Sequence, residues 1–178
     1  MRCFIAFEVS DEAKQAFAEA QSQLDKENTK LKLTKDFHLT LKFLGEIDEN
    51  KAEEVKSKLN EIKFNPFETS LTDIGVFPDE NYIRVIWIGL DDKENKIKNL
   101  QKQIDETLNE IGFKEDKRFH PHITLARVKF TKDKEDLLKN LKQIKFNKKS
   151  FNVNEFKLKK STLTKEGPFY EDIAVFKV

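Results

Sequence analysis

Cysteine is almost missing: the 178 residues contain one, Cys3. That excludes an internal disulfide framework and any zinc site built on several thiolates. Proline and glycine are sparse at 4 and 5 residues, and no Pro-rich or Gly/Ser-rich tract marks a linker. The chain therefore reads as one domain, or two small lobes sharing a core. An excess of one charge is lacking too. Lys plus Arg number 33 and Asp plus Glu 32, a formal net charge of +1. A polycationic nucleic-acid coat is excluded, whereas a local basic patch is not. The longest apolar runs, such as Val85-Ile86-Trp87-Ile88, fall far short of a membrane span. The opening Met1-Arg2-Cys3-Phe4-Ile5-Ala6-Phe7-Glu8 meets charge too early for a secretory signal. A soluble, cytoplasmic protein is the expectation. What the chain does have is 16 phenylalanines and 37% charged residues, a mixture too aromatic for disorder.

The hydrophobic pattern predicts helices mixed with adjacent strand pairs. Arg2 to Phe7 reads as a strand. Ser10 caps a helix whose apolar face is Ala13, Phe17, Ala20 and Leu24. Short extended segments follow at Leu31 to Leu33 and at His38 to Leu44, closed by Gly45. Asp48 starts a helix bearing Ala52, Val55, Leu59 and Ile62 on one side. Phe67, Thr69 and Leu71 alternate, and Tyr82 to Leu90 is β-rich. A third helix is predicted from about Asp92 to Ile111, with Gly112 in the left-handed position beyond it. His122 to Val128 reads as a strand, Asp133 to Ile144 as a helix, and Phe151 to Leu158 and Ile173 to Val178 as strands. This order favours an α+β fold over a parallel α/β sheet.

One tetrapeptide occurs twice, as His38-Leu39-Thr40-Leu41 and His122-Ile123-Thr124-Leu125. The copies are 122 − 38 = 84 residues apart, close to half the chain. On a strand, side chains alternate faces. Each copy then presents one imidazole and one hydroxyl on a polar face and two aliphatic residues on a core face. A single histidine on a strand is usually structural. Here two of only three histidines hold the same place in the same apolar-flanked motif, which favours a functional pair. Histidine titrates near neutrality, so one neutral imidazole can accept a proton while a protonated twin donates one. Phosphodiester cleavage needs that division, with hydroxyls and a cation holding the non-bridging oxygens. Arg127 has the guanidinium for bidentate phosphate contact. Strict alternation puts it on the opposite face from His122, so it must lie past a bulge or the strand end. Lys42 shares parity with His38 and Thr40, and it is expected either to face the cleft or to be a solvated lysine.

The paired His-x-Thr motifs resemble those of the two-histidine phosphoesterase superfamily. Within it, the chain is similar to the bacterial and archaeal RNA 2′,3′-cyclic phosphodiesterases, historically called 2′-5′ RNA ligases. The resemblance covers nearly the whole chain. It runs through Phe37-His38-Leu39-Thr40-Leu41-Lys42-Phe43-Leu44-Gly45, Gly75-Val76-Phe77-Pro78, Arg84-Val85-Ile86-Trp87, and Pro121-His122-Ile123-Thr124-Leu125-Ala126-Arg127. It closes on Ser161-Thr162-Leu163-Thr164, Gly167-Pro168 and Tyr170. It implies one bilobal domain over residues 1–178, with two pseudo-symmetric antiparallel β-sheets flanked by helices around a central cleft. It also implies hydrolysis of an RNA 2′,3′-cyclic phosphate to a 2′-phosphomonoester without metal or cofactor, and a reverse 2′-5′ ligation. By motif order His38 is the proton donor, His122 the acceptor, and Thr40, Thr124 and Arg127 bind phosphate. The expected partner is an RNA or oligonucleotide ending in a cyclic phosphate, and the expected state is a monomer.

Other residues carry weaker signals. His120 shares parity with His122, but a metal site is the weaker reading with one cysteine and no second histidine cluster. Phe77, Tyr82 and Tyr170 are candidates to stack on a base, against the core role that is the default for an aromatic. Lys157-Leu158-Lys159-Lys160 is either a phosphate-attracting run or a solvated edge strand. The competing functions are a phosphodiesterase acting on another cyclic or 2′,5′-linked nucleotide, and a non-catalytic RNA-binding module. The second has no need for two titrating imidazoles.

Overall fold

The computed structural model describes residues 1–165 and 167–177. Its strands are β1 (Arg2–Glu8), β2 (Thr29–Leu33), β3 (His38–Glu46), β4 (Phe67–Asp79), β5 (Tyr82–Leu90), β6 (His122–Thr131), β7 (Ser150–Val153), β8 (Glu155–Thr164) and β9 (Gly167–Lys177). Its helices are α1 (Asp11–Ser22), α2 (Glu49–Leu59), α3 (Lys96–Asn109) and α4 (Lys134–Gln143). The α+β class is as expected, and every strand pairing is antiparallel.

The helices begin where side chains can replace missing backbone partners. Ser10 Oγ accepts the N–H of Ala13 at 3.3 Å, and Asp48 Oδ1 accepts that of Lys51 at 2.8 Å. Each such cap stabilises by about 1 kcal/mol. Helix α3 starts later than the predicted Asp92. Asn95 at its start has a left-handed φ of 55° and no side-chain cap. Instead Asp92 reaches forward to accept the N–H of Ile97 at 2.7 Å and of Lys98 at 3.1 Å. Residues 92–95 are thus a capping turn and not helix. The apolar stripes Ala13-Phe17-Ala20 and Ile97-Leu100-Ile104-Leu108 are all buried in one core.

The strands form one sheet in the order β7-β4-β5-β6-β3-β1-β8-β9, with β2 added on β6. The two expected sheets are therefore two halves of one sheet. They are joined where β3 meets β6, in register at Leu39↔Ile123. Both side chains at this joint are fully buried. The helices cross it: α1 packs under β6, and α3 packs under β3 beside α2. The Gln21 amide on α1 donates to Thr34 O at 2.8 Å and to Leu125 O at 2.9 Å, fixing β6 from the first half of the chain.

The segment predicted as one strand over Phe151 to Leu158 is two strands at opposite ends of the sheet. Before Asn154 it pairs with β4 as β7, and after it with β1 as β8. The break at one residue lets the chain close both halves. Strand β9 ends at Lys177, so the last residue of the predicted strand, Val178, lies outside the described residues. No described helix is long and apolar enough to cross a membrane.

The joint generates a stability expectation. Leu39→Ala removes a fully buried side chain from the only described register pair between the halves, and should cost about 2–5 kcal/mol. Urea denaturation followed by far-UV circular dichroism measures this. A loss under about 1 kcal/mol, below the usual range for such a truncation, would show that the joint carries little of the packing.

Candidate active site

Both His-x-Thr motifs begin at the joint. Because the strands are antiparallel at Leu39↔Ile123, His38 stands opposite Thr124 and Thr40 opposite His122. Leu39 and Ile123 point into the core, so the four polar groups share the helix-free face. The imidazoles occupy one diagonal of this quadrilateral and the hydroxyls the other. Diagonal neighbours on paired strands are about 7–8 Å apart, a span that one phosphate group can fill.

Two β-bulges complete the arrangement. On β6, Ala126 pairs with Ile86 but Thr124 pairs with Trp87, leaving Leu125 as the extra residue. Arg127, opposite Val85, thereby returns to the face of His122 and Thr124. This resolves the conflict that strict alternation raises for Arg127. On β3, Lys42 pairs with Ile5 and Thr40 with Ala6, so Leu41 is extra in the same way. That bulge turns Phe43, 75% exposed, onto the face of His38 and Thr40. It also turns Lys42 away.

Lys42 therefore does not stand where its parity predicts. It is 4% exposed and lies on the core side. Its ammonium binds the Asp105 carboxylate of α3 and donates to Lys114 O at 2.7 Å. Asp105 Oδ2 accepts from Gln101 Nε2 at 2.7 Å and from the backbone N–H of Asp116 at 2.8 Å. One buried carboxylate thus ties motif-bearing β3 to the segment that leads into His122.

The two imidazoles have different settings. His38 packs against Phe4 at 5.1 Å and edge-on against Tyr170 at 5.2 Å between ring centroids. Burial, helped by the nearby Lys159 ammonium, pushes its pKa down to about 4, against the opposing pull of Asp36 and Glu8. His122 meets Phe77 edge-on at 4.8 Å and Trp87 at 6.0 Å. Its Nδ1 donates to His120 O at 2.7 Å, which leaves Nε2 as the free lone pair of the neutral ring. Burial lowers its pKa too, against the hydrogen bond to the His120 carbonyl and with the Arg127 charge adding to the fall. Tyr170 belongs to the same group. Burial raises its phenol pKa, with Asp36 adding to the rise and the charges of Arg127, Arg2 and Lys159 opposing it.

The remaining candidates separate cleanly. His120 is exposed, 4.8 Å from the Trp87 ring, and no set of three or more metal-ligating side chains forms among the described residues. Tyr82 sits at the β4–β5 turn beneath Arg84, 5.5 Å from the guanidinium carbon. The lysine run is not on an edge, because β8 lies between β1 and β9. Lys159 is 5% exposed. It binds Glu8 at 2.6 Å and also Asp172, while Lys157 binds Glu8 at 2.8 Å and Asp172 at 2.9 Å.

Sequence reasoning missed Phe4, Phe43 and Trp87. The 84-residue offset places Phe43 at the position equivalent to Arg127, a signal present but unused. Trp87 lies flat on Gly75, where a Cβ would fall 2.2 Å from the indole.

Comparison with known proteins gives the family and the fold. The family model described as LigT-like phosphoesterase matches the chain twice, over residues 7–87 and 88–170. An RNA 2′,3′-cyclic phosphodiesterase of Methanocaldococcus jannaschii is 39% identical over 97% of this chain and 98% of its own. One of Archaeoglobus fulgidus is 35% identical, over 99% of each. The crystal structure of TT0787 of Thermus thermophilus superposes with a TM-score of 0.84 at 27% identity, covering 99% of this chain and 97% of that one. Escherichia coli LigT in its apo form has the same fold at a TM-score of 0.78, with 22% identity over 99% of this chain and 96% of that one.

The Lys42–Asp105 pair yields a paired expectation. Asp105→Ala leaves a buried ammonium uncompensated and should cost about 3–5 kcal/mol, whereas Lys42→Met with Asp105→Leu removes both charges and should cost clearly less, its remaining loss coming from the Gln101 amide and Asp116 N–H left without an acceptor. Equal losses in thermal and urea unfolding would contradict the burial and pairing described.

Proposed function

This chain belongs to the LigT-like phosphoesterase family, and on that basis we propose that it hydrolyses RNA 2′,3′-cyclic phosphate ends to 2′-phosphomonoesters. The observation that carries the proposal is the quadrilateral of two imidazoles and two threonine hydroxyls across Leu39↔Ile123. In this reading the chain is one domain of two related lobes, each contributing one motif. The double match of the family model supports that division.

The chemistry follows from the positions. The Nε2 lone pair of neutral His122 takes a proton from water as the water attacks phosphorus. Protonated His38 gives a proton to the departing 3′-oxygen, and the 2′-ester remains. Thr40, Thr124 and Arg127 hold the non-bridging oxygens as charge grows on them. Acid, base and oxyanion donors are all present in the chain, so the reaction needs no metal. Tyr170 and Phe4 hold the His38 ring, and exposed Phe43 offers a face to the terminal base. With a 5′-hydroxyl in place of water, the same pair joins that oxygen to phosphorus as a 2′-5′ diester while the 3′-oxygen leaves with the proton from His38. The donor role of His38 needs the substrate, because at a pKa of about 4 its ring is neutral in the free enzyme at neutral pH. The negative charge of the bound phosphodiester favours the imidazolium and raises that pKa.

The direct test is RNA ending in a 2′,3′-cyclic phosphate, incubated with the protein in excess EDTA. The expected product is the 2′-phosphomonoester. A 3′-phosphomonoester, or turnover only after a divalent ion is restored, would refute the assignment.

The pH profile carries the pKa directions. Activity requires one protonated and one neutral imidazole, so kcat/KM falls when both are protonated and again when both are neutral. Both rings sit below the ordinary histidine value of 6.5. The kcat/KM maximum should therefore lie on the acid side of that value, and the alkaline limb of kcat at higher pH than that of kcat/KM. His38→Ala and His122→Ala should each lose about 10²–10⁴-fold in rate, with an activated 3′ leaving group rescuing only His38→Ala. A kcat/KM maximum above about pH 7, where an unperturbed imidazole is mostly neutral, or rescue of His122→Ala alone, would reverse the reading of the two rings.

A further inference from the structure

The open face of the sheet is electrostatically lopsided. On the β1–β8–β9 side, Lys157 and Lys159 share the carboxylates of Glu8 and Asp172. Burial pushes Glu8 and Asp172 upward, but their hydrogen bonds to these lysines win and lower both pKa values. These four side chains neutralise one another.

The β2–β6 side is different. The register Lys32↔Arg127 and Lys30↔Phe130 puts these four side chains on one face, because paired residues on neighbouring strands point the same way. The opposite face of the same pairs carries Leu31, Leu33 and Ala126, together with Thr29, whose hydroxyl meets that of Thr131 at 3.1 Å. A further bulge at Lys129 lies between Val128 and Phe130. Lys30, Lys32, Arg127 and Lys129 are exposed, and none takes part in an ion pair among the described residues. Phe130 is 60% exposed beside them. In a chain of net charge +1, this cluster is a local basic strip with an aromatic in it. It begins at Arg127, beside the candidate phosphate site, and runs outward along β2, which among the described residues pairs with β6 alone.

We propose that the strip formed by Lys30, Lys32 and Phe130 binds the single-stranded RNA upstream of the reacting end, making the enzyme prefer oligonucleotides over cyclic mononucleotides. The inference rests on the reading above for the reacting end, and it adds where the rest of the strand lies. Lysines two apart on a strand are about 6.6 Å from one another, the scale of one nucleotide step. Cations that track a backbone with an aromatic for a base are the elements of sequence-tolerant single-strand binding. The lysines of β8 are already answered by carboxylates, so the strand leaves the site over β2 and not over β8.

The test compares two substrates in two variants. The substrates are a 2′,3′-cyclic mononucleotide and an oligoribonucleotide of about ten nucleotides ending in a cyclic phosphate. Lys30→Ala with Lys32→Ala should lower kcat/KM for the oligonucleotide about tenfold at low salt and flatten its dependence on log salt by about 1.4, at about 0.7 per lost contact. The mononucleotide should react within about twofold of the unmodified rate, since it reaches no lost phosphate contact. Lys139→Ala with Lys142→Ala on α4, the same charge change on a helix surface away from the strip, should alter neither substrate. Equal loss on both substrates, no loss on the oligonucleotide, or the same loss from the α4 variant would overturn the proposal. Fluorescence anisotropy with an ordinary 3′-hydroxyl oligoribonucleotide reads the strip independently of turnover. If affinity falls in the β2 variant while the unmodified protein cleaves neither substrate, the strip stands and the catalytic reading fails.

Discussion

The backbone register between Leu39 and Ile123 governs the molecule. Side chains on a strand repeat every two residues, so a slip of one would send both imidazoles into the core and both aliphatic neighbours into water. The penalty for that slip is large because Leu39 and Ile123 are each fully buried; burying one such side chain stabilises by about 1.5–3 kcal/mol. The register is also held from beneath by helices that swap sides. The Gln21 amide of α1 grips the carbonyl of Leu125 at the second bulge, and Asp105 of α3 grips Lys42 beside the first. Each half of the chain therefore secures the motif borne by the other.

The same packing sets the charge state of the site. His38 lies among Phe4, Tyr170 and a lysine whose charge is already answered by Glu8 and Asp172. None of these neighbours favours imidazolium strongly enough to offset burial, so the ring rests neutral at neutral pH. His122 has an upstream carbonyl on Nδ1 and an arginine nearby, and it also rests below its ordinary value. In the proposed mechanism the positive charge needed for proton donation is drawn in by the anionic ligand.

Much of this was legible in the sequence, and the reason is repetition. Two His-x-Thr copies with alternating aliphatic residues announce two half-buried strands, and caps such as Ser10 and Asp48 announce helix starts. What stayed hidden depends on single extra residues. Nothing local in Leu41 or Leu125 distinguishes a bulge from an ordinary core position, yet those bulges decide that Arg127 faces the site and Lys42 does not. The switch at Asn154, which sends β7 and β8 to opposite ends of the sheet, was equally invisible because alternation continues on both sides of it. Phe4 looked like one more core aromatic in a phenylalanine-rich chain. Only its parity with Ala6 and Glu8 separates it from Ile5 and Phe7.

The position of β1 has a consequence for synthesis. Strand β1 leaves the ribosome well before β8, yet it is an interior strand, flanked by β3 on one side and β8 on the other. Its pairing Arg2↔Ser161 joins residues made far apart in time. At about 5–20 residues per second, on the order of ten seconds separate the two. During that interval the nascent chain holds β1 with one bare hydrogen-bonding edge beside the aromatic side chains of Phe4 and Phe7, a surface on which another chain can pair. Synthesis of β8, and not completion of the first motif, is the event that covers this edge.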